Sequence, residues 1–135
     1  MRVFLSIKFN SEEDNRKQIE EIISGIESSG AEVFCFCRDR ELWGETMYRA
    51  EELMELTLAE IDKSDVLVAD VTDWPISVGV EAGYAFAKGK PIICVCQRQK
   101  RLATSVTGLT PHVIRYTDAK SLGKEIASIL KKPTL

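Results

Sequence analysis

Several chemistries are short of residues in this chain. A single histidine, His112, stands among 135 residues; nothing near it suggests a metal site or a catalytic triad, and it reads as structural. No apolar run approaches the roughly 20 residues of a membrane span. The amino terminus enters a strand pattern directly, without the layout of a signal peptide, which predicts a cytoplasmic protein. Basic residues are not in excess: 18 Lys and Arg against 21 Asp and Glu leave a net charge of −3. That balance argues against nonspecific binding to nucleic-acid polymers or membranes and favours small molecules or other proteins as partners. Repeats, linkers and low-complexity segments are lacking too, so one domain covering residues 1–135 is expected.

Four cysteines form two Cys-x-Cys pairs, Cys35/Cys37 and Cys94/Cys96. On strands, period-two alternation would put both members of a pair on one face, a spacing compatible with metal ligands. Their neighbours Phe34, Phe36, Ile93 and Val95 point instead to buried, reduced thiols, so no metal is expected.

The rest of the chain is organised around residues 65–87. An unbroken apolar run, Val66-Leu67-Val68-Ala69, exits through Asp70, Asp73, Trp74 and Pro75 into Ser77-Val78-Gly79-Val80-Glu81-Ala82-Gly83. This is the pattern of a buried parallel strand turning into a helix, and Ser77 is the expected cap. Glu81 then falls at the end of the first turn, where free N–H groups and the helix dipole favour an ionised carboxylate. Gly79 and Gly83 bracket it; helical glycine costs about 1 kcal/mol, which close approach of a ligand or another helix would offset.

On either side, strand and helix alternate. Strands are predicted over residues 3–9, 32–37, 91–96 and 112–116, with helices capped by Ser11, Thr46 and Asp118 and a short helix or ordered loop at 102–109. Five alternations predict a flavodoxin-like, Rossmann-like three-layer α/β sandwich with a five-stranded parallel sheet of order 2-1-3-4-5. The winding direction switches between the first and third strands. The crevice there is expected to gather Ser6, Lys8, Asp70, Asp73, Trp74, Ser77, Gly79 and Glu81. A carboxylate in a dry crevice suits nucleophilic attack on a sugar carbon, with Asp70 or Asp73 binding hydroxyls or assisting the leaving group. Trp74 or Trp43 offers a surface on which a planar base can stack.

The segments Asp65-Val66-Leu67-Val68-Ala69-Asp70-Val71, Gly79-Val80-Glu81-Ala82-Gly83-Tyr84-Ala85 and Lys88-Gly89-Lys90-Pro91 resemble the nucleoside 2-deoxyribosyltransferase family, which includes 2'-deoxynucleoside 5'-phosphate N-hydrolases. The resemblance implies that Glu81 attacks C1' of a deoxyribose in a nucleoside or nucleotide, with no cofactor. It further implies that Lys8, Ser77, Gly79 and the basic loop 98–101 hold a 5'-phosphate. A homodimer in which Thr104 and Ser105 complete the neighbouring site is also implied. The chain departs from the family in three places. A first-strand tyrosine and glycine turn are replaced by Val3-Phe4-Leu5-Ser6-Ile7-Lys8, a base-engaging aspartate by Thr57, and an acidic or hydroxyl residue before the motif by Pro75. The missing first-strand tyrosine keeps open a non-catalytic nucleotide-binding or interaction module, and the combination of a flavodoxin-like sheet with a Glu keeps open an NAD glycohydrolase of the Toll/interleukin-receptor-like kind.

Overall fold

The computed structural model describes residues 1–133 and 135. Strands β1 (Arg2–Ser6), β2 (Glu32–Phe34), β3 (Val66–Asp70), β4 (Ile92–Gln97) and β5 (Val113–Tyr116) pair in parallel in the order β2-β1-β3-β4-β5, as the alternation predicts. The period-two pattern decides which side chains serve which layer. Val3, Leu5, Val66, Val68, Ile93 and Val95 face α1 (Arg16–Glu27) and a carboxyl-terminal helix over Ala119–Leu130. Phe4, Leu67, Ala69, Cys94 and Cys96 face the opposite layer, which holds the helices Ala50–Asp62 and Ile76–Ala87. In chain order the remaining helices are α2 (Phe36–Asp39), α3 (Ala50–Asp62), α4 (Ile76–Ala87), α5 (Thr104–Thr107) and α6 (Ala119–Leu130).

Three local expectations are corrected. The second strand stops at Phe34, because Cys35 already caps α2 and its N–H is taken by the Asp39 carboxylate at 2.9 Å. Cys35 and Cys37 therefore belong to the strand-to-helix turn, in the layer opposite Cys94 and Cys96, and all four thiols are free and buried. Ser11 and Thr46 cap nothing: α1 begins after Asn15 and α3 after Arg49. Residues 11–14 form turns in which the Asn10 side chain accepts from the N–H groups of Glu12 and Glu13. Asp118 does cap α6, accepting from the Ser121 N–H at 3.1 Å.

Two pairs of helical glycines have opposite surroundings. A Cβ on Gly25 of α1 would lie 2.5 Å from the Gly123 Cα of α6, so backbone meets backbone where these helices cross. A Cβ added at Gly79 or Gly83 of α4 would meet nothing within 4 Å beyond its own helix. Gly25→Ala is therefore expected to destabilise by about 1–3 kcal/mol through overpacking. Gly83→Ala should be neutral or stabilising by up to about 1 kcal/mol in the isolated chain. Urea unfolding of the two variants checks this, and equal losses would contradict the assigned contacts.

Candidate functional site

Small residues let α4 lie close to the sheet: Val78, Ala82 and Ala85 form its buried face against Ala69 and Cys94. That approach brings Glu81 over the end of β1, where the Ser6 hydroxyl donates to Glu81 Oε1 at 2.7 Å. Ser6 is wholly buried and pairs in register with Ala69, whose methyl leaves space beside it. The carboxyl opens into a cleft of about 380 Å³, within the range of about 300–1,000 Å³ typical of small-molecule sites. Four chain segments build its walls. Lys8, Phe9 and Ser11 come from the β1–α1 connection, Ser77 and Val78 from α4, Phe36, Cys37, Glu41 and Gly44 from α2 and its following loop, and Leu53, Met54 and Thr57 from α3.

The capping expectation at α4 does not hold. The helix starts at Ile76 after Pro75, with no side-chain cap, so Ser77 is its second residue and Glu81 sits in the second turn. Away from the free N–H groups the dipole contributes little. Burial dominates instead and lifts Glu81 to about 7, against the opposing Ser6 hydrogen bond and with help from the nearby Glu41 carboxylate. Glu60 shows the contrast. It is 5% exposed, but hydrogen bonds from Arg2 at 2.6 Å and Arg40 at 3.2 Å more than reverse the effect of burial and hold it below the usual carboxylate range. A buried glutamate paired with arginines reads as structural, whereas one held only by a serine over a cleft is a candidate for function.

The remaining expected residues do not share this cleft. Asp70 and Asp73 line a neighbouring polar recess of about 250 Å³, separate from Glu81 although Ile7 and Lys8 border both. Asp70 is spoken for: one oxygen accepts from the Tyr116 hydroxyl at 2.6 Å and the other from the Thr72 N–H at 2.9 Å. Asp73 is exposed and pairs with Lys100 at 3.2 Å. Trp74 donates to the Arg101 carbonyl at 3.0 Å and carries the Arg101 guanidinium over its ring. Trp43 packs edge-on against Phe9 under Arg16, as a cover. Gly79, Thr104 and Ser105 are exposed outside the cleft. Glu41 is the side chain that reading by motif overlooked. It lies in a charged loop that looks like a solvated surface, yet every such loop follows a strand's carboxyl end, the edge where open sheets bind ligands.

Fold and cleft together define an open α/β protein with a candidate ligand cleft beside its topological switch point. The sequence profile of the nucleoside 2-deoxyribosyltransferase family matches residues 4–131, and the chain belongs to that family. Over 136 residues it is 24% identical to a candidate 2'-deoxynucleoside 5'-phosphate N-hydrolase of Thermofilum pendens, covering 96% of this chain and 95% of the other. A segment of 45 residues, 33% of this chain and 26% of the other, is 47% identical to the 5-hydroxymethyl-dUMP N-hydrolase of Mus musculus. The structure of a CMP N-glycosidase from Clostridium botulinum matches with a TM-score of 0.72 at 25% identity, over 96% of this chain and 99% of that one. A 2-deoxyribosyltransferase from Bacillus psychrosaccharolyticus shares the fold, with a TM-score of 0.70 at 17% identity over 91% and 90% of the two chains.

The raised carboxyl has a consequence for stability. Between its ordinary value of 4.5 and about 7, the folded state holds a proton that the unfolded state has lost, so stability falls as pH rises through that window. At roughly 1.36 kcal/mol per pKa unit the loss amounts to about 3 kcal/mol. Glu81→Gln should match the wild type near pH 4 and exceed it by about this amount near pH 8 in urea unfolding; a pH-independent difference would refute the assignment.

Proposed function

We propose that this protein cleaves the N-glycosidic bond of a nucleoside or nucleotide through Glu81. The observation that carries the reading is the Glu81 carboxyl, bonded to Ser6 and paired with no cation among the described residues, over a cleft of about 380 Å³ in a chain of this family. Glu81 in its ionised form attacks C1' of the sugar, an ester bond forms, and the bond from C1' to the base nitrogen breaks with its electron pair leaving on the base. Water, or a second base in a transfer reaction, then attacks C1' and returns the carboxylate. Ser6 orients the Glu81 oxygens. Lys8, Ser11 and Ser77 offer an ammonium and two hydroxyls to the sugar or to a 5'-phosphate. Asp70 acts one step removed by fixing the β3 end through Tyr116 and Thr72, and Asp73 and Trp74 steady the loop that leads into α4.

The protein works as a homodimer in this reading. The outer face of α4 exposes Ile76 (87%), Val80 (50%) and Phe86 (53%) around the open Gly79 and Gly83, an apolar stripe suited to a second copy. Thr104 and Ser105, exposed on α5 beside this face, would then reach the partner's cleft. Among the described residues no helix is long and apolar enough to cross a membrane. Four free thiols suit the cytoplasm.

Incubation with deoxynucleosides and their 5'-monophosphates should release free base. Glu81→Gln should lower kcat at least about 1,000-fold without unfolding the protein, because the covalent step is lost. The wild-type rate should climb as pH rises through about 7, when Glu81 ionises. Base release unchanged in Glu81→Gln would overturn the proposal. Ile76→Arg should convert a dimer to a monomer in analytical ultracentrifugation, and a wild type that is already monomeric would remove the partner-site role of Thr104 and Ser105.

A further inference from the structure

Cys-x-Cys occurs twice in this chain, and the fold gives the two copies different geometries. Cys94 and Cys96 lie on β4 and point into the same layer. Two residues apart on one face of a strand, their Cβ atoms are separated by about 6.6 Å, well beyond the roughly 3.8 Å that a disulfide needs. Cys96 Sγ donates instead to the Gln97 carbonyl at 3.5 Å, and Cys94 Sγ has no hydrogen-bond partner among the described residues. Cys35 and Cys37 straddle the place where the chain turns from β2 into α2. Cys35 is extended, with φ −133° and ψ 117°, whereas Phe36 and Cys37 are helical. That change of direction brings the second side chain back onto the first, and the two sulfurs are in contact at 3.3 Å. The turn is held from both sides. The Asp39 carboxylate accepts the Cys35 N–H at 2.9 Å, and the Asp39 N–H donates to the Cys35 carbonyl at 2.8 Å.

The two pairs also differ in access and in acidity. Cys94 and Cys96 are wholly buried, but Cys37 borders the open cleft beside Phe36 and Glu41. The hydrogen bond from Cys37, joined by the Arg38 N–H and guanidinium, brings the Cys35 thiol below its ordinary range in spite of burial. Burial pushes Cys94 up to about 12 and raises Cys96 as well. A thiolate, not a thiol, attacks an oxidant, so the pair in contact is the reactive one.

We infer that Cys35 and Cys37 are a redox modification site: a small hydroperoxide entering the cleft converts them to a reversible disulfide in its wall. The steps balance. One proton leaves the pair, and either sulfur can hold the other across the contact, which frees Cys37 to attack. The Cys37 sulfur bonds to one oxygen of hydrogen peroxide, the O–O bond breaks, and the departing hydroxide takes up the released proton as water. Cys35 then attacks the Cys37 sulfur, the S–O bond breaks, and hydroxide leaves with the Cys35 proton as a second water. The sulfurs lose two electrons and the peroxide gains them. The new bond spans a turn on which the cleft wall is built: the Phe36 carbonyl accepts from the N–H groups of Arg40 and Glu41, each at 3.0 Å, and the Cys37 carbonyl accepts from Trp43 at 2.7 Å. Oxidation therefore acts on the wall that faces Glu81, and it does so whatever reaction the cleft carries out.

Hydrogen peroxide added to the folded wild type, followed by unfolding, alkylation of free thiols, trypsin and mass spectrometry, tests this without reference to turnover. Cleavage after Lys17 and Arg38 puts Cys35 and Cys37 on one peptide, and cleavage after Lys88 and Arg98 puts Cys94 and Cys96 on another. The first peptide should lose two hydrogens and both alkylation sites at least about tenfold faster than the second, because oxidation follows thiolate character and access. Dithiothreitol should restore both sites. Cys35→Ser should stop at a Cys37 sulfenic acid that dimedone captures, and Cys37→Ser should leave Cys35 as slow to react as the second pair. Equal rates for the two wild-type peptides, a first peptide that keeps both alkylation sites, or Cys37 oxidised to the sulfinic acid while Cys35 is still alkylated would each overturn the assignment. None of these results bears on Glu81.

Discussion

The Ser6–Glu81 hydrogen bond joins the end of the first strand to the second turn of the central helix. It exists because two conditions meet. The sheet order makes β1 and β3 neighbours, so the helix that follows β3 passes over the end of β1. The inner face of that helix is small enough, with Val78, Ala82 and Ala85, to lie within reach of a serine hydroxyl. A bulkier Ala82 would lift the helix and open the contact. The chemistry attributed to the cleft therefore depends on packing several residues away from any reacting atom, which is how rigid elements hold a functional group in place.

Burial and pairing separate the acidic residues of this molecule by role. Glu60 is buried but surrounded by cations, Asp70 is buried but fully hydrogen-bonded, and Asp73 is exposed beside a lysine. Asp70, Glu81 and Glu41 are each pushed upward by burial, and of these Glu81 and Glu41 line the same open cleft. A carboxyl raised in this way destabilises the fold once ionised.

Much of the architecture was legible because it rests on two strong periodicities. Apolar runs at 66–69 and 92–96 could only be central parallel strands, and the isoleucines at 19, 22, 23 and 26 could only face a core. Helix starts were less legible. Ser11, Thr46 and Ser77 each look like caps, yet the backbone at Asn15, Arg49 and Pro75 takes that position instead, because tertiary contacts and proline geometry outweigh a preference worth about 1 kcal/mol. The motif singles out Glu81, but burial rather than the helix dipole sets its titration, and burial acts in the opposite direction. Asp70 and Asp73 are near Glu81 in sequence and belong to a different recess. Glu41 is forty residues away from Glu81 and faces the same cleft, a pairing visible only once the loop after β2 folds back beneath Trp43.

The account turns on whether Glu81 becomes bonded to a sugar carbon. Incubation with a 2'-deoxy-2'-fluoro nucleotide, whose electron-poor sugar slows release of the covalent state, followed by proteolysis and mass spectrometry, asks this directly. The account predicts one added fluorosugar on the peptide that contains Glu81, and none in Glu81→Gln. Turnover of ordinary substrate with no trapped adduct, or an adduct on any other side chain, would contradict it.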